Sequence, residues 1–343
     1  MEKLLESFVE ADSISGYEDA IRDLIKKELK PHVDEIKVDR IGNVIARKGS
    51  GSPKIMFISH MDELGMMVKH ITKDGFIYFE LIGGWDDRVI PAMKVKIHSS
   101  KGPIIGVIGV KPPHIMEKEE LKTPIKAKDL YIDIGAKSDK EIYKSGISVG
   151  DFITRSGKFN KLLGSRATGH GFDNRAGCTV MVETLKRAKG FKGTIYGVGS
   201  VQEETGIIGA RGAIYGVNPD IVIGLDTTFS GGTPDMKPTD CDLNIGKGPV
   251  MVIKDAISIS DKKIRKWITQ TARSAKIPFQ KEVTGGGATD SSMAPLIKEG
   301  IPSGAILVPT RYIHSPVEVV DMKDIENTVK LVVECMKTAN KYF

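Results

Sequence analysis

The spacing of apolar residues in the first sixty positions predicts two helices followed by three strands. Apolar residues recur every three or four positions in residues 1–13 and again between residues 21 and 29, as on one face of a helix. Ser15 and Glu18 have the spacing of a capping box, which should open the second helix. Short apolar runs predict the strands, and the last run has the composition of a strand buried in a central sheet. The three predicted strands cover residues 36–38, 43–48 and 54–59.

A change of pattern between residues 69 and 163 predicts a separate small domain. Short apolar runs there alternate with Gly, Pro and Lys, which is typical of an all-β unit. Helices and strands alternate again afterwards, as in an α/β sandwich. We therefore predict a discontinuous α/β domain at 1–68 and 164–343 with an inserted β domain at 69–163. The elements predicted after the insertion are helices at 174–189, 207–214, 261–276 and 293–298, strands at 193–202, 220–226, 250–254 and 304–309, and a C-terminal helix from Met322.

The charge balance argues against a nucleic-acid-binding or membrane protein. The chain carries 50 Lys and Arg against 44 Asp and Glu, a net charge of +6 spread in mixed runs without a basic block. No stretch approaches the roughly 18 uninterrupted apolar residues that a membrane helix needs. The acidic N-terminal segment is unlike a secretory signal, and three scattered cysteines without a C-x-x-C pair suit a reducing compartment. We therefore expect a cytoplasmic protein.

Histidines and acids follow several of the predicted strands. His60 and Asp62 form an H-x-D pair after an apolar strand, so the imidazole can bind a metal while the carboxylate fixes its tautomer. Asp226 closes a second apolar strand, and His314 follows a third, directly before Ser315. Taken singly, a buried structural histidine or a helix cap explains each of these residues at least as well.

Three more acids extend this set. Asp173 lies just before the helix at 174–189, where an aspartate alone indicates a helix cap. Glu203 and Glu204 end a strand before a glycine turn, where adjacent side chains point in different directions. One carboxylate can therefore bind a metal while its neighbour takes a proton from a bound water, as metal-assisted hydrolysis requires. A solvated acidic turn is the competing interpretation.

The combination favours metal binding because all these residues fall on one predicted edge of the sheet. The carboxyl ends of strands in open α/β sheets are where ligands bind. Imidazole and carboxylate ligands without a thiolate suit zinc, cobalt or manganese. His170, between two glycines and three residues from Asp173, is a further histidine that could reach the site. The histidines interpreted as structural or exposed are His32, His70, His98 and His114.

With these residues identified, the sequence resembles the family of tetrahedral (TET-type) dimetal aminopeptidases, whose members are also known as glutamyl aminopeptidase or endoglucanase M. The likeness spans nearly the whole chain, and its segments occur in order. They are SGYED (15–19), SHMDELGMMV (59–68), GGWDDRVIPAMKV (83–95), DNRAGC (173–178), VQEETGIIGA (201–210), GGGATD (285–290) and RYIHSPVEVVDMKDIENTVKLV (311–332).

The resemblance implies a fold and an assembly. The fold would be a zinc-exopeptidase-like α/β/α sandwich with a mixed sheet, in which residues 1–68 and 164–343 form the catalytic domain. The insertion at 69–163 would be a PDZ-like domain used for dimerisation. Six dimers would assemble into a hollow tetrahedral homododecamer.

The resemblance also implies a metal centre and a mechanism that removes N-terminal residues from peptides. Two divalent ions, Zn2+ or Co2+, would share Asp173. The ligands that complete the two sites would be His60 and Asp226 for one ion and Glu204 and His314 for the other. Asp62 would orient His60, and Glu203 would be the general base that activates the bridging water.

Three finer expectations accompany the resemblance. The peptide bond between Asp173 and Asn174 should be cis. The run 166–177 is longer than in most relatives, which bears on the loop before Asp173. Thr228 stands where some relatives have histidine, which bears mainly on the substrate pocket, and for that pocket we expect a preference for neutral, leucine-like residues.

Other functions stay open on the sequence alone. A metal-independent endoglucanase would need two carboxyl groups about 5 to 9.5 Å apart across a sugar bond, which the adjacent pair Glu203 and Glu204 could not provide without a further acid. A non-catalytic scaffold acting through the β insertion would show no turnover, although every expected ligand is present. A carboxypeptidase or aminoacylase of the same clan normally carries its lid domain after the Glu-Glu pair, whereas here the extra domain precedes it.

Overall fold

The fold is a mixed α/β structure with a small antiparallel β-barrel. The computed structural model describes residues 1–118 and 122–343. The helices are α1 (Glu2–Val9), α2 (Asp19–Leu29), α3 (Asp139–Lys144), α4 (Phe172–Arg187), α5 (Ile208–Val217), α6 (Lys262–Ser274) and α7 (Met322–Thr338). The strands are β1 (Glu35–Val38), β2 (Val44–Ser50), β3 (Lys54–His60), β4 (Gly65–Ile71), β5 (Phe76–Ile82), β6 (Lys94–Ser99), β7 (Gly102–Ile108), β8 (Ile132–Asp133), β9 (Phe152–Arg155), β10 (Asn160–Lys161), β11 (Arg166–Gly169), β12 (Gly193–Ser200), β13 (Ile221–Phe229), β14 (Val250–Lys254), β15 (Gln280–Val283), β16 (Ser303–Arg311) and β17 (Glu318–Asp321).

One large mixed sheet dominates the described part of the chain. Its main path runs β1-β2-β12-β3-β13-β16-β17-β11-β10, and β14 joins β16 and carries β15. The four central strands β12, β3, β13 and β16 are parallel to one another, whereas the outer strands of this path pair antiparallel. In the branch, β14 pairs antiparallel with β16 and parallel with β15. The carboxyl ends of the parallel strands therefore meet on one edge of the sheet, as the sequence predicts.

Helices cover both faces of this sheet. Along β3, Ile55 and Phe57 belong to the core shared with α1, α2, α4, α6 and α7, while Met56 and Ile58 belong to the core under α5. Successive side chains of a strand point to opposite faces, so a strand covered on both sides must be apolar throughout. This explains the uninterrupted apolar run that identifies β3 in the sequence.

Arg175 anchors the start of α4 to the end of β3. Its guanidinium is fully buried and donates hydrogen bonds to the carbonyls of Phe8, Ala11 and Ser13 at 2.9, 3.1 and 3.1 Å, and to that of Met61. A buried cation needs such partners, because it cannot be left unsolvated. The contacts fix α1 and the segment after β3 against the helix that follows Asp173.

The barrel has its own core and closes in the order β4-β5-β8-β7-β6-β9. It begins at Gly65, four residues before the predicted position 69. A Cβ atom on Gly65 would lie 2.2 Å from Ile14 Cγ2, so the chain leaves the large sheet through a close contact that only glycine permits. β10 lies inside the predicted insertion but pairs with β11 of the large sheet.

Two local predictions are wrong. Helix α2 begins at Asp19 without a side-chain cap, because the Ser15 hydroxyl instead donates a hydrogen bond of 2.6 Å to the buried carboxylate of Asp62. A buried carboxylate requires donors, and this demand overrides the local capping signal. The helix predicted at 293–298 is a short 3-10 helix at Asp290–Leu296.

Phe57→Ala should lower the free energy of unfolding by about 3 to 5 kcal/mol, because it leaves a cavity in the core of the central strand. The measurement is guanidinium unfolding followed by circular dichroism. Leu163→Ala is the control: Leu163 is 95% exposed, so its truncation should change the stability by less than about 0.5 kcal/mol. Equal effects of the two substitutions would contradict the packing described for β3.

Candidate metal centre

Two adjacent parallel strands bring the first pair of candidate ligands together. His60 is the last residue of β3, and Asp226 lies near the end of β13, which pairs with β3. The Nε2 atom of His60 lies 3.6 Å from Asp226 Oδ1. Both side chains are buried, with 2% and 6% of their surface exposed. The sheet register therefore places an imidazole and a carboxylate side by side.

Asp173 lies between the two histidines. Its Oδ1 is 3.2 Å from His60 Nε2, and its Oδ2 is 3.1 Å from His314 Nε2. Asp173 and Asn174 have non-helical backbone angles at the start of α4, and the peptide bond between them is cis, which confirms that expectation. His314 lies three residues beyond the end of β16 in a turn where its own φ is +62°.

The five predicted ligands form two groups that share Asp173. One group is His60, Asp173 and Asp226, and the other is Asp173, Glu204 and His314; within each, the candidate ligand atoms lie within 4.8 Å of one another. Glu204 Oε1 is buried and has no hydrogen-bond partner in the part of the chain that the structure describes. An unsatisfied buried carboxylate oxygen costs free energy unless a cation or a donor meets it. The donor set of imidazole nitrogen and carboxylate oxygen therefore fits a divalent metal such as zinc, cobalt or manganese.

Asp62 connects the two sides of this cluster. His60 Nδ1 lies 3.0 Å from the backbone carbonyl of Asp62 and 3.5 Å from its carboxylate. The carboxylate also accepts the backbone N–H groups of Glu203 and Glu204, each at 3.1 Å, and the Ser15 hydroxyl. Asp62 lies beside His60 as the H-x-D pair predicts, and it additionally fixes the turn that carries both glutamates.

Burial and the neighbouring charges raise the pKa values of the two adjacent glutamates. Burial raises the pKa of Glu203 well above its ordinary value, and Glu204 adds to this rise although His60 opposes it. Burial, together with the charge of Asp173, raises the pKa of Glu204 to about 8. Such shifts arise where several negative charges share a buried site, and a bound cation would relieve them.

The histidines show the opposite response. Burial lowers the pKa of His60, but the neighbouring carboxylates, Asp226 first among them, raise it well above its ordinary value. Burial likewise opposes protonation of His314, but its hydrogen bond with Asp173 and the nearby acids raise its pKa to about 10. Burial raises the pKa of Asp173, but hydrogen bonds with the two histidines hold it well below its usual range. The site therefore attracts positive charge, which a metal ion supplies better than a proton.

Glu318 is a buried acid that sequence reasoning did not identify. Its Oε2 accepts the backbone N–H of Asp173 at 3.2 Å, and its Oε1 accepts that of His314 at 3.1 Å. The sequence signal that points to Glu318 is its position four residues after His314, within the segment RYIHSPVE. Glu318 therefore fixes the backbone of the shared residue Asp173 and that of His314.

His170 lies outside both groups of candidate ligands found among the described residues. Its Nδ1 is 2.9 Å from Glu63 Oε2. Glu63 also forms ion pairs with Arg155 at 2.6 Å and with Arg175 at 3.3 Å. His170 therefore belongs to a buried ion-pair network beside the cluster.

A cavity of about 620 Å³ opens over the cluster. His60, Asp173, Glu203, Glu204 and His314 lie in its wall, and apolar residues continue the wall away from them. A cavity of this size that combines apolar surface with convergent polar groups is typical of a small-ligand site.

The chain matches the family model for M42 glutamyl aminopeptidase over residues 42–331. It is 35% identical to a lysyl aminopeptidase from Pyrococcus furiosus over 332 residues, which cover 96% of this chain and 94% of the relative. It superposes with a TM-score of 0.87 and 34% identity on the TET1 peptidase of Pyrococcus horikoshii, covering 97% of this chain and 98% of that one.

A third similarity is to a structure named an endoglucanase from Thermotoga maritima, with a TM-score of 0.79 and 30% identity over 97% of this chain and 98% of that one. The names of these proteins differ, but the family match extends across both sides of the β-barrel and includes all five candidate ligands. The chain therefore belongs to the M42 glutamyl aminopeptidase family.

Proposed function

We propose that this metal-dependent aminopeptidase binds two divalent ions, Zn2+ or Co2+, through the two groups that share Asp173. His60 and Asp226 would complete one site, and Glu204 and His314 the other. The observation that carries this proposal is the position of the Asp173 carboxylate, with one oxygen beside each histidine. A carboxylate in this position could be shared by two ions, and Glu204 Oε1 has no hydrogen-bond partner among the described residues.

In the proposed reaction Glu203 is the general base. When bound at such a site, divalent ions polarise a scissile carbonyl and lower the pKa of water. A Glu203 carboxylate oxygen takes the proton from the attacking water and delivers it to the nitrogen of the departing amine, which releases the N-terminal amino acid. Glu203 suits this role because it lines the cavity and burial raises its pKa above the ordinary value, which makes it a stronger base than an exposed glutamate.

Asp62 would act as a positioning residue. Its contacts with His60 Nδ1 favour the tautomer that leaves Nε2 free to bind metal. Its hydrogen bonds to the amides of Glu203 and Glu204 set the base and a ligand at fixed separation along the same turn.

The β-barrel is proposed to be the dimerisation unit. The TET1 peptidase of Pyrococcus horikoshii is described as assembling into a tetrahedron or a large octahedral shell. We extend a tetrahedral assembly to this chain, with residues 1–68 and 164–343 as the catalytic domain and 69–163 as a PDZ-like insertion that forms dimers, six of which build a dodecamer.

Peptides are the proposed substrates, with no nucleic-acid or membrane partner, and the cytoplasm is the proposed location. None of the helices in residues 1–118 and 122–343 has the length and apolar character needed to cross a bilayer.

Glu203→Gln should keep the metal but lower kcat by about 100- to 10,000-fold, because the amide cannot accept the proton of the attacking water. The measurement combines initial rates on aminoacyl-p-nitroanilides with metal analysis of the same sample. Glu334→Gln on α7, outside the cavity wall, is the matched control and should retain wild-type kcat. A Glu203→Gln enzyme with a tenth of wild-type turnover would exclude the proposed base.

Asp173→Asn should lose both metal ions, because Asp173 belongs to both ligand groups. Glu204→Gln should lose mainly one ion, because Glu204 belongs to only one group. Inductively coupled plasma mass spectrometry after dialysis measures the stoichiometry, with two ions per chain expected for the wild type. Equal losses in the two variants would argue against a shared ligand.

Chelation separates the peptidase from the glycosidase interpretation. EDTA should abolish hydrolysis of aminoacyl-p-nitroanilides, and Zn2+ or Co2+ should restore it, because the proposed reaction needs the ions. Carboxymethylcellulose should not be hydrolysed in either condition. EDTA-resistant release of sugar would favour the endoglucanase, and the absence of turnover on both substrates would favour a scaffold.

Replacing residues 69–163 by a short Gly-Ser linker should leave particles smaller than those of the full chain, because the proposed dimer contact is removed. Multi-angle light scattering measures the mass, and circular dichroism of the same sample checks that the α/β domain is folded. An assembly with the full number of subunits would show that the contacts lie in the α/β domain.

A further inference from the structure

We propose that Glu282 makes this enzyme selective for peptides with a basic N-terminal residue, above all lysine. The inference rests on the proposed aminopeptidase function and identifies its substrate class. It replaces the leucine-like preference expected from the sequence.

Glu282 reaches the active-site cavity through the sheet register. Asp226 and Thr228 are two residues apart on β13, so their side chains lie on the same face of the strand. Both line the cavity, and Thr228 Oγ1 donates a hydrogen bond of 2.6 Å to Glu282 Oε1. Glu282 lies on β15 opposite Val252 of β14, which also lines the cavity. The carboxylate therefore faces the same space as the candidate metal ligands.

The Glu282 carboxylate has unused hydrogen-bonding capacity. Within residues 1–118 and 122–343 the hydrogen bond from Thr228 is the only one that it accepts. Its second oxygen accepts no hydrogen bond from the described residues and keeps accessible surface. This oxygen is therefore open to the cavity that Glu282 lines. The residue as a whole is only 5% exposed. A nearly buried carboxylate with a free oxygen can form a strong, charge-assisted hydrogen bond with a cationic ligand.

The other acid in this part of the wall is already satisfied. Asp255 accepts hydrogen bonds from the amides of Ile257 and Ser258 at 2.9 and 2.6 Å and from the hydroxyls of Ser258 and Ser292. Its charge adds to the negative potential at Glu282. Asp255 therefore favours a cation in the pocket without competing for it.

The remaining wall suits a long aliphatic chain with a charged end. Val252 and Leu307 are apolar and line the cavity. Among the described residues, no Lys or Arg lines it. Lysine carries its ammonium on a flexible four-carbon stem, which can pack on apolar surface while the charge reaches a carboxylate. A glutamyl side chain would instead bring a second negative charge toward Glu282 and Asp255. The pocket thus selects lysine by attraction and excludes glutamate by repulsion.

The test compares lysyl-, norleucyl-, leucyl- and glutamyl-p-nitroanilide on the metal-loaded, assembled enzyme. Norleucine has the four-carbon stem without the ammonium, so the ratio of kcat/KM for lysyl to norleucyl substrate isolates the charge. The wild type should prefer lysyl over the other three. Glu282→Gln should lower the lysyl-to-norleucyl ratio by about 10- to 100-fold, the range expected for one hydrogen bond to a charged group. It should also improve the relative rate on the glutamyl substrate.

Two further variants serve as controls, one for loss of an acid elsewhere and one for retention of the charge at position 282. Glu299→Gln, an exposed acid outside the cavity wall, should leave the lysyl-to-norleucyl ratio unchanged. Glu282→Asp retains the charge and should keep part of the lysyl preference, which a purely structural role would not explain. Metal content and particle mass equal to those of the wild type verify that the variants are folded.

The outcomes separate this inference from the function on which it rests. Turnover of the panel without a lysyl preference, or an unchanged ratio in Glu282→Gln, would overturn the assignment of Glu282 while leaving the aminopeptidase intact. No EDTA-sensitive turnover of any substrate would overturn both.

Discussion

The geometry of the candidate centre depends on two buried carboxylates that hold backbone rather than metal. Asp62 accepts the amides of residues 203 and 204 on one side, and Glu318 accepts those of Asp173 and His314 on the other. Ligands on turns and helix starts would otherwise be free to adjust, because their backbone has no sheet partner there. Asp62 thus fixes the proposed base Glu203 and the candidate ligand Glu204, and Glu318 fixes the candidate ligands Asp173 and His314, at hydrogen-bond distances near 3 Å.

This convergence brings several carboxylates close together, and their mutual repulsion favours the binding of cations at the site. Asp173, Glu203, Glu204 and Asp226 line one cavity, and burial acts to raise the pKa of all four. Only for Asp173 do the contacts with the two histidines outweigh burial, so that its pKa is lowered. Fixed negative charges held close together in a buried site repel one another. A divalent ion at each group of candidate ligands would offset that repulsion, so metal binding and the folded arrangement of the loops should stabilise each other.

The sequence predicts the residues of the site better than the framework that supports them. His60, Asp226 and the glutamate pair could be recognised because they end apolar strands, and the parallel register of β3, β12 and β13 brings strand ends together. Local spacing predicts a helix cap at Ser15 because it gives no information about a partner 47 residues away in the chain. Glu318 was missed for the same reason, since its role appears only when Asp173, 145 residues away, is placed beside it. The start of the barrel at Gly65 depends on a packing contact with Ile14 that no periodicity reveals.

The residues proposed to carry out hydrolysis and those proposed to select the substrate lie in different parts of the cavity wall. Hydrolysis needs ligands at the edge of the parallel sheet, and those positions follow from where strands end. The pocket proposed to receive the substrate side chain contains Thr228, two residues beyond Asp226 on β13, and Glu282 on β15, which pairs with β14. Substitution there changes the charge of the pocket without disturbing the ligands, because the two sets of side chains come from different strands or from positions two residues apart. The family model is named for a glutamyl aminopeptidase, whereas a relative from Pyrococcus furiosus is named a lysyl aminopeptidase. For this chain, the acids Asp255 and Glu282 and the absence of Lys and Arg from the described cavity wall are the basis on which we propose a cationic substrate side chain.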